Sequence, residues 1–156
     1  MLPEGPVKAM FVVARPVPDV WRAFSSEAGW RGWLAPDMQV KVDVGGKFSS
    51  DSTQVKGSIL ELRAPRKISL SWTGPAGGPA SIVTFELEHR GTSTKVTVQE
   101  RPGGAPPSGE EKANREATWR TQLKSLKDFV EKSSPAPERV ALPAEDLEEP
   151  RARRRA

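Results

Sequence analysis

The sequence predicts an α+β fold in which a curved antiparallel sheet of six or seven strands grips a long C-terminal helix, with two short helices after the first strand. Three observations predict it. A short apolar strand runs straight into Arg15-Pro16-Val17-Pro18-Asp19-Val20-Trp21-Arg22-Ala23-Phe24, where the spacing changes from strand-like to helical. Far downstream, Trp119, Leu123, Leu126 and Val130 recur at the three- and four-residue intervals of one helix face. Between these two landmarks, short runs of alternating apolar and polar residues are separated by Gly and Pro, the pattern of strands and turns.

Val7 to Ala14 is the first strand, stopped by Pro16 and Pro18, neither of which can donate to a sheet ladder. Pro18 and Asp19 suit the first turn of a helix, and Val17, Val20, Trp21 and Phe24 give it one apolar face. Gly29 is expected to break this helix, and Trp30 to Leu34 to form a second short turn before Pro36. Met38, Val40, Val42 and Val44 alternate with polar residues as a half-buried strand, and Gly45-Gly46 is expected to supply the positive φ angles of a hairpin turn before Phe48. Gln54 to Arg63 is a longer strand whose internal Gly57 marks an expected bulge. Arg66 to Thr73, Ser81 to His89 and Thr94 to Glu100 complete an antiparallel meander, interrupted by the Gly- and Pro-rich loop from Gly74 to Pro79. After a loop from Pro102 to Pro107, Ser108 is the expected N-cap of a helix that runs to about Lys132, with Glu110 and Glu111 in its first turn.

At 156 residues the chain has the length of one domain, long enough to bury a substantial core. The domain spans residues 1–132. Residues 133–156 contain four of the fifteen prolines, no aromatic residue and no apolar periodicity, the composition of a disordered tail with an acidic block followed by a basic one. Arg139, Arg151, Arg153, Arg154 and Arg155 there balance Glu138, Glu145, Asp146, Glu148 and Glu149, so the net charge of +4 belongs to the domain. In the domain basic residues alternate with acids along most elements, which argues against specific nucleic-acid binding. No apolar run approaches the length of a membrane span, and the N-terminal stretch lacks the basic leader and long apolar core of a signal peptide, so a cytoplasmic location is expected. The absence of cysteine excludes disulfides and thiolate metal sites.

The segments Pro18-Asp19-Val20-Trp21-Arg22-Ala23-Phe24, Trp33-Leu34, Val44-Gly45-Gly46-Lys47-Phe48, Gly57-Ser58-Ile59-Leu60-Glu61-Leu62 with Pro65, Ser71-Trp72 and Ser81 to Leu87 occur in order. Trp119, Leu123, Leu126 and Lys127 close the series. Together they resemble the START-like, or SRPBCC, helix-grip superfamily, in the branch named for activators of the heat-shock-protein-90 ATPase. The resemblance covers Val7 to Lys132 in one register. It implies a cavity between sheet and helix that, in different members, holds lipids, polyketides, hormones or unidentified ligands. Helix-grip enzymes that orient a reactive substrate also exist, so whether a reaction is catalysed stays open.

The inward faces of the predicted elements bring Trp21, Phe24, Trp30, Trp33, Phe48, Ile59, Ile68, Leu70, Trp72, Val83, Phe85, Val98, Trp119 and Leu123 to the concave side, as candidate lining for a small hydrophobic or aromatic ligand. Such a site calls for an enclosed cavity of roughly 300 Å³ or more with a few inward polar groups. The five tryptophans favour it, since an indole stacks on a flat ligand while offering one donor. The alternative is a protein-interaction module whose core is filled by those same side chains and whose outer surface or tail meets a partner. No catalytic residue, metal ligand or cofactor site is assigned. The single histidine, His89, falls at a turn; Glu86 and Glu88 fall on the face opposite Val83, Phe85 and Leu87; and no Ser nucleophile motif is present. The loop from Pro102 to Pro107 is the candidate gate.

Overall fold

A computed structural model of the chain describes residues 7–74, 77–104 and 107–132. The tail 133–156 and the centre of the candidate gate, 105–106, lie outside the described residues. The elements are β1 (Val7–Val13), α1 (Val17–Trp21), α2 (Glu27–Trp33), β2 (Gln39–Val40), β3 (Lys47–Ser50), β4 (Val55–Arg63), β5 (Lys67–Thr73), β6 (Ser81–Arg90), β7 (Ser93–Arg101) and α3 (Gly109–Lys132). The strands form one antiparallel sheet in the order β1-β7-β6-β5-β4-β3-β2. Its concave face covers α3, so the fold is the helix-grip α+β fold read from the sequence.

The alternation of each strand decides which side faces the helix. Val83, Phe85 and Leu87 on β6 stand opposite Glu100, Val98 and Val96 on β7, and all six are buried. Ser108 caps α3 as expected, its hydroxyl accepting the Glu111 amide at 3.0 Å. Trp119, Leu123, Leu126 and Val130 are the buried stripe of that helix. Burying each such aliphatic side chain stabilises the fold by roughly 1.5–3 kcal/mol. α3 also closes the free edge of β1. The Lys8 amide donates to Glu116 at 3.2 Å and the Ala14 amide to Glu131 at 2.7 Å, so carboxylates occupy donors that another strand could otherwise pair with. The Ala14 amide, and after it Lys127, holds the Glu131 carboxyl below its usual range.

Four local expectations change. The expected strand from Met38 to Val44 contracts to Gln39–Val40 because the chain turns early, with the Asp43 amide bonded to the Lys41 carbonyl at 2.9 Å and the Gly46 amide to Asp43 at 2.8 Å. Met38 is buried and Val44 exposed as a result. In the Gly45-Gly46 pair only Gly45 has a positive φ, at 84°, while Gly46 is needed because a Cβ would collide with the Lys41 carbonyl. Gly57 keeps regular pairing with Phe48 and Trp72, and the register shift falls between Ile59 and Glu61. A Cβ on Gly57 would strike the Ser71 carbonyl and the Phe48 ring, so close approach is its reason. Gly29 sits inside α2, where a Cβ would come within 2.8 Å of the Ala23 backbone; the helix starts earlier, at Ser26, whose hydroxyl accepts the Gly29 amide at 3.0 Å.

Candidate functional site

α1 and α2 deliver three tryptophans to the core, and backbone carbonyls hold two of them by their indole nitrogens. Trp30 donates to the Phe24 carbonyl at 2.8 Å and Trp33 to the Ala23 carbonyl at 2.9 Å. From there the rings run in a continuous series. Trp21 lies 6.1 Å from Phe24, Phe24 lies 5.1 Å from Phe85, and Phe85 lies 5.7 Å from Trp119. Trp119 then meets Trp72 at 5.3 Å, Trp72 meets Phe48 at 5.6 Å, and Phe48 meets Trp30 at 5.4 Å. Trp33 closes a triangle on Phe24 and Phe85 at 5.3 and 5.7 Å. These are the separations at which aromatic pairs attract one another.

All the side chains expected on the concave side are thus brought together there, but most face each other. Trp21, Phe24, Trp30, Trp33, Phe48, Ile59, Ile68, Leu70, Val83, Phe85, Val98 and Leu123 are buried in one packed cluster. Trp72 is only partly buried, and beside it and Trp119 the sheet and α3 part to leave a cleft of about 280 Å³ that is open on one side, in place of the enclosed cavity expected, because the aromatic rings fill the space between sheet and helix. Its walls are Thr53 and Val55 before and at the start of β4, Trp72 on β5, Glu100 on β7, and Arg115, Thr118, Trp119 and Gln122 on α3.

The cleft has a polar inner wall. Glu100 is 6% exposed, and its two oxygens accept the Trp119 indole N–H and an Arg115 guanidinium N–H, each at 3.0 Å. Arg115 also donates to Glu111 at 3.2 Å, which orients the guanidinium along the mouth. The arrangement can stack a flat molecule on indole and offer it Gln122, Thr118 and the remaining guanidinium N–H groups at one end. Glu100 and Arg115 escaped attention in the sequence. The signal was present: Glu100 continues the inward phase of Thr94, Val96 and Val98, so strand alternation places a carboxylate inside. Among the described residues no group of three His, Cys, Asp or Glu side chains is placed to hold a metal ion, and no helix is long and apolar enough to cross a membrane. His89, Glu86 and Glu88 are exposed on β6, away from the cleft.

A sheet gripping a helix, with a half-open cleft beside two indoles, defines a class of fold and does not by itself define a function. The chain belongs to the family described as activator of Hsp90 ATPase homolog 1-like protein, whose model matches residues 14–131. A comparison with curated proteins finds no match. Among solved structures, CalU16 from Micromonospora echinospora is 22% identical, with a TM-score of 0.65 over 80% of this chain and 75% of that one. The Aha1 dimer from Colwellia psychrerythraea is 16% identical, with a TM-score of 0.69 over 83% of this chain and 98% of that one. PFC0360w, an Hsp90 activator from Plasmodium falciparum, is 20% identical, with a TM-score of 0.65 over 80% and 94% of the two chains. At these identities the likeness is one of fold.

Proposed function

We propose that this chain is a cytoplasmic protein that binds a small apolar or aromatic molecule carrying one polar group in the cleft beside Trp72 and Trp119. The observation that supports this reading is the partial exposure of Trp72. The other four tryptophans are buried, and leaving part of one large aromatic surface in water beside an open cleft forgoes burial that a ligand would supply. The cleft is small, so its ligand is one or two fused rings or a short acyl chain rather than a full lipid. Titrating the full chain with 2-naphthol, indole and octanoate while following tryptophan fluorescence and thermal unfolding tests it. Saturable quenching joined to a raised melting temperature supports the reading, because a ligand that binds only the folded state stabilises it. No response to any of the three removes it.

A second reading, of a protein-interaction module, draws on the filled core. Eight aromatic rings pack against one another where a larger cavity would otherwise lie. The family description and the printed description of PFC0360w both point to Hsp90 as the partner. Stimulation of Hsp90 ATPase turnover by the full chain, with no response to the small molecules, would favour this reading over the first.

A further inference from the structure

The outer face of the sheet carries a second concavity, about 680 Å³ and open to solvent, that is basic where the cleft is not. Two cross-strand rows build it. Ser49, Lys56 and Thr73 lie side by side on β3, β4 and β5, and Lys47, Ser58 and Ser71 lie side by side in the next row. Lys41 joins them because its amide is bonded to the Lys47 carbonyl at 3.2 Å. Among the described residues, Lys41, Lys47 and Lys56 have no carboxylate within ion-pair distance, whereas Lys67 and Lys127 are paired to Glu61 and Glu131. The one carboxylate in the lining, Glu27, is already engaged by the Val40 amide at 3.1 Å and by Arg31 at 3.2 Å. The groove therefore presents three uncompensated cations flanked by hydroxyl donors, the chemistry that receives a run of carboxylates.

The geometry points to an occupant within the same chain: the acidic segment Glu145-Asp146-Leu147-Glu148-Glu149. Four carboxylates in five residues complement the three lysines. The root of that segment also lies on the right side of the molecule. α3 ends against α2, where the Phe129 ring fills the space that a Cβ on Gly32 would need, and the first residue of α2, Glu27, borders the groove. Gly32 and Glu27 are separated by roughly 8 Å of helix rise. Roughly 13 residue steps separate Lys132 from Glu145, a reach of up to roughly 45 Å when extended. The contact is electrostatic and exposed, so salt weakens it. Through it the chain covers its own basic face.

Lysine acetylation of the full chain tests this. Each lysine's rate with N-hydroxysuccinimidyl acetate is read by mass spectrometry in the native protein and in the variant Glu145→Gln, Asp146→Asn, Glu148→Gln, Glu149→Gln, at low and high salt. The expected result is several-fold slower labelling of Lys41, Lys47 and Lys56 in the native chain at low salt than in the variant, with the difference gone at high salt and Lys95 on β7 unaffected throughout. Equal labelling of the three lysines in both chains overturns the proposal. So does protection that appears in either chain only after poly-glutamate is added, which would make the groove a site for a separate acidic partner.

Discussion

Trp119 donates its indole N–H to one oxygen of Glu100, and Arg115 donates to the other, both at 3.0 Å, so a single buried carboxylate fastens α3 to β7 along the inner wall of the cleft. Replacing Glu100 by Ala leaves an indole N–H and a guanidinium without their acceptor and is expected to cost about 2–3 kcal/mol in urea denaturation. Glu100→Gln keeps an acceptor for the indole and is expected to cost only about 1 kcal/mol. Equal losses in the two variants would show that the charge, and not the oxygen that accepts the Trp119 indole N–H, dominates.

Gly57→Ala introduces a methyl group into the path of the Ser71 carbonyl and the Phe48 ring, where β4 is paired with both β3 and β5. Overpacking of this kind is expected to lower stability by about 2–3 kcal/mol. A melting temperature unchanged from the native chain would show that the sheet can bend away at this point.

Asp37 gives a pH signature. The Ser50 hydroxyl at 2.6 Å, and then the Ser52 amide at 2.7 Å and hydroxyl at 2.8 Å, hold its carboxyl down to about 2 from an ordinary 3.8. Because the folded value lies below the unfolded one, this latch stabilises the fold fully above about pH 4 and is lost as the pH falls through about 2. Asp37→Asn carries no charge to titrate. The native chain is expected to be the more stable of the two above pH 4, with the gap closing toward pH 2 in acid-denaturation curves; a gap that stays constant over that range would assign the stabilisation to something other than the charge.

Thr118 stands exposed at the mouth of the cleft, so a larger side chain there plugs the opening without disturbing the core. Thr118→Trp is expected to weaken 2-naphthol binding at least roughly tenfold, about 1.4 kcal/mol, while leaving stability within about 0.5 kcal/mol of the native chain. Undiminished affinity in a stably folded variant would place the ligand elsewhere.

How far the sequence could be read depended on which physical signal each feature leaves. The stripe Trp119, Leu123, Leu126, Val130, the Ser108 cap and the meander from β4 to β7 were legible because periodicity and capping are local patterns. The reasons for Gly46 and Gly57 were not, since each depends on a carbonyl brought close by another part of the chain. Strand alternation correctly turned Phe48, Trp72 and Phe85 inward, yet it cannot say whether inward rings meet each other or enclose space. Their separations of 5.6 Å from Phe48 to Trp72 and 5.7 Å from Phe85 to Trp119 decide that they largely meet, leaving the cleft beside Trp72.

The five indole N–H signals in a proton–nitrogen correlation spectrum of the full chain, followed through a titration with 2-naphthol, test the cleft as a binding site most directly. The expected result is a saturable shift of the Trp72 and Trp119 signals, with those of Trp30 and Trp33, locked onto the Phe24 and Ala23 carbonyls, left in place. Shifts at Trp30 and Trp33 with none at Trp72, or no shift at any of the five, would contradict it.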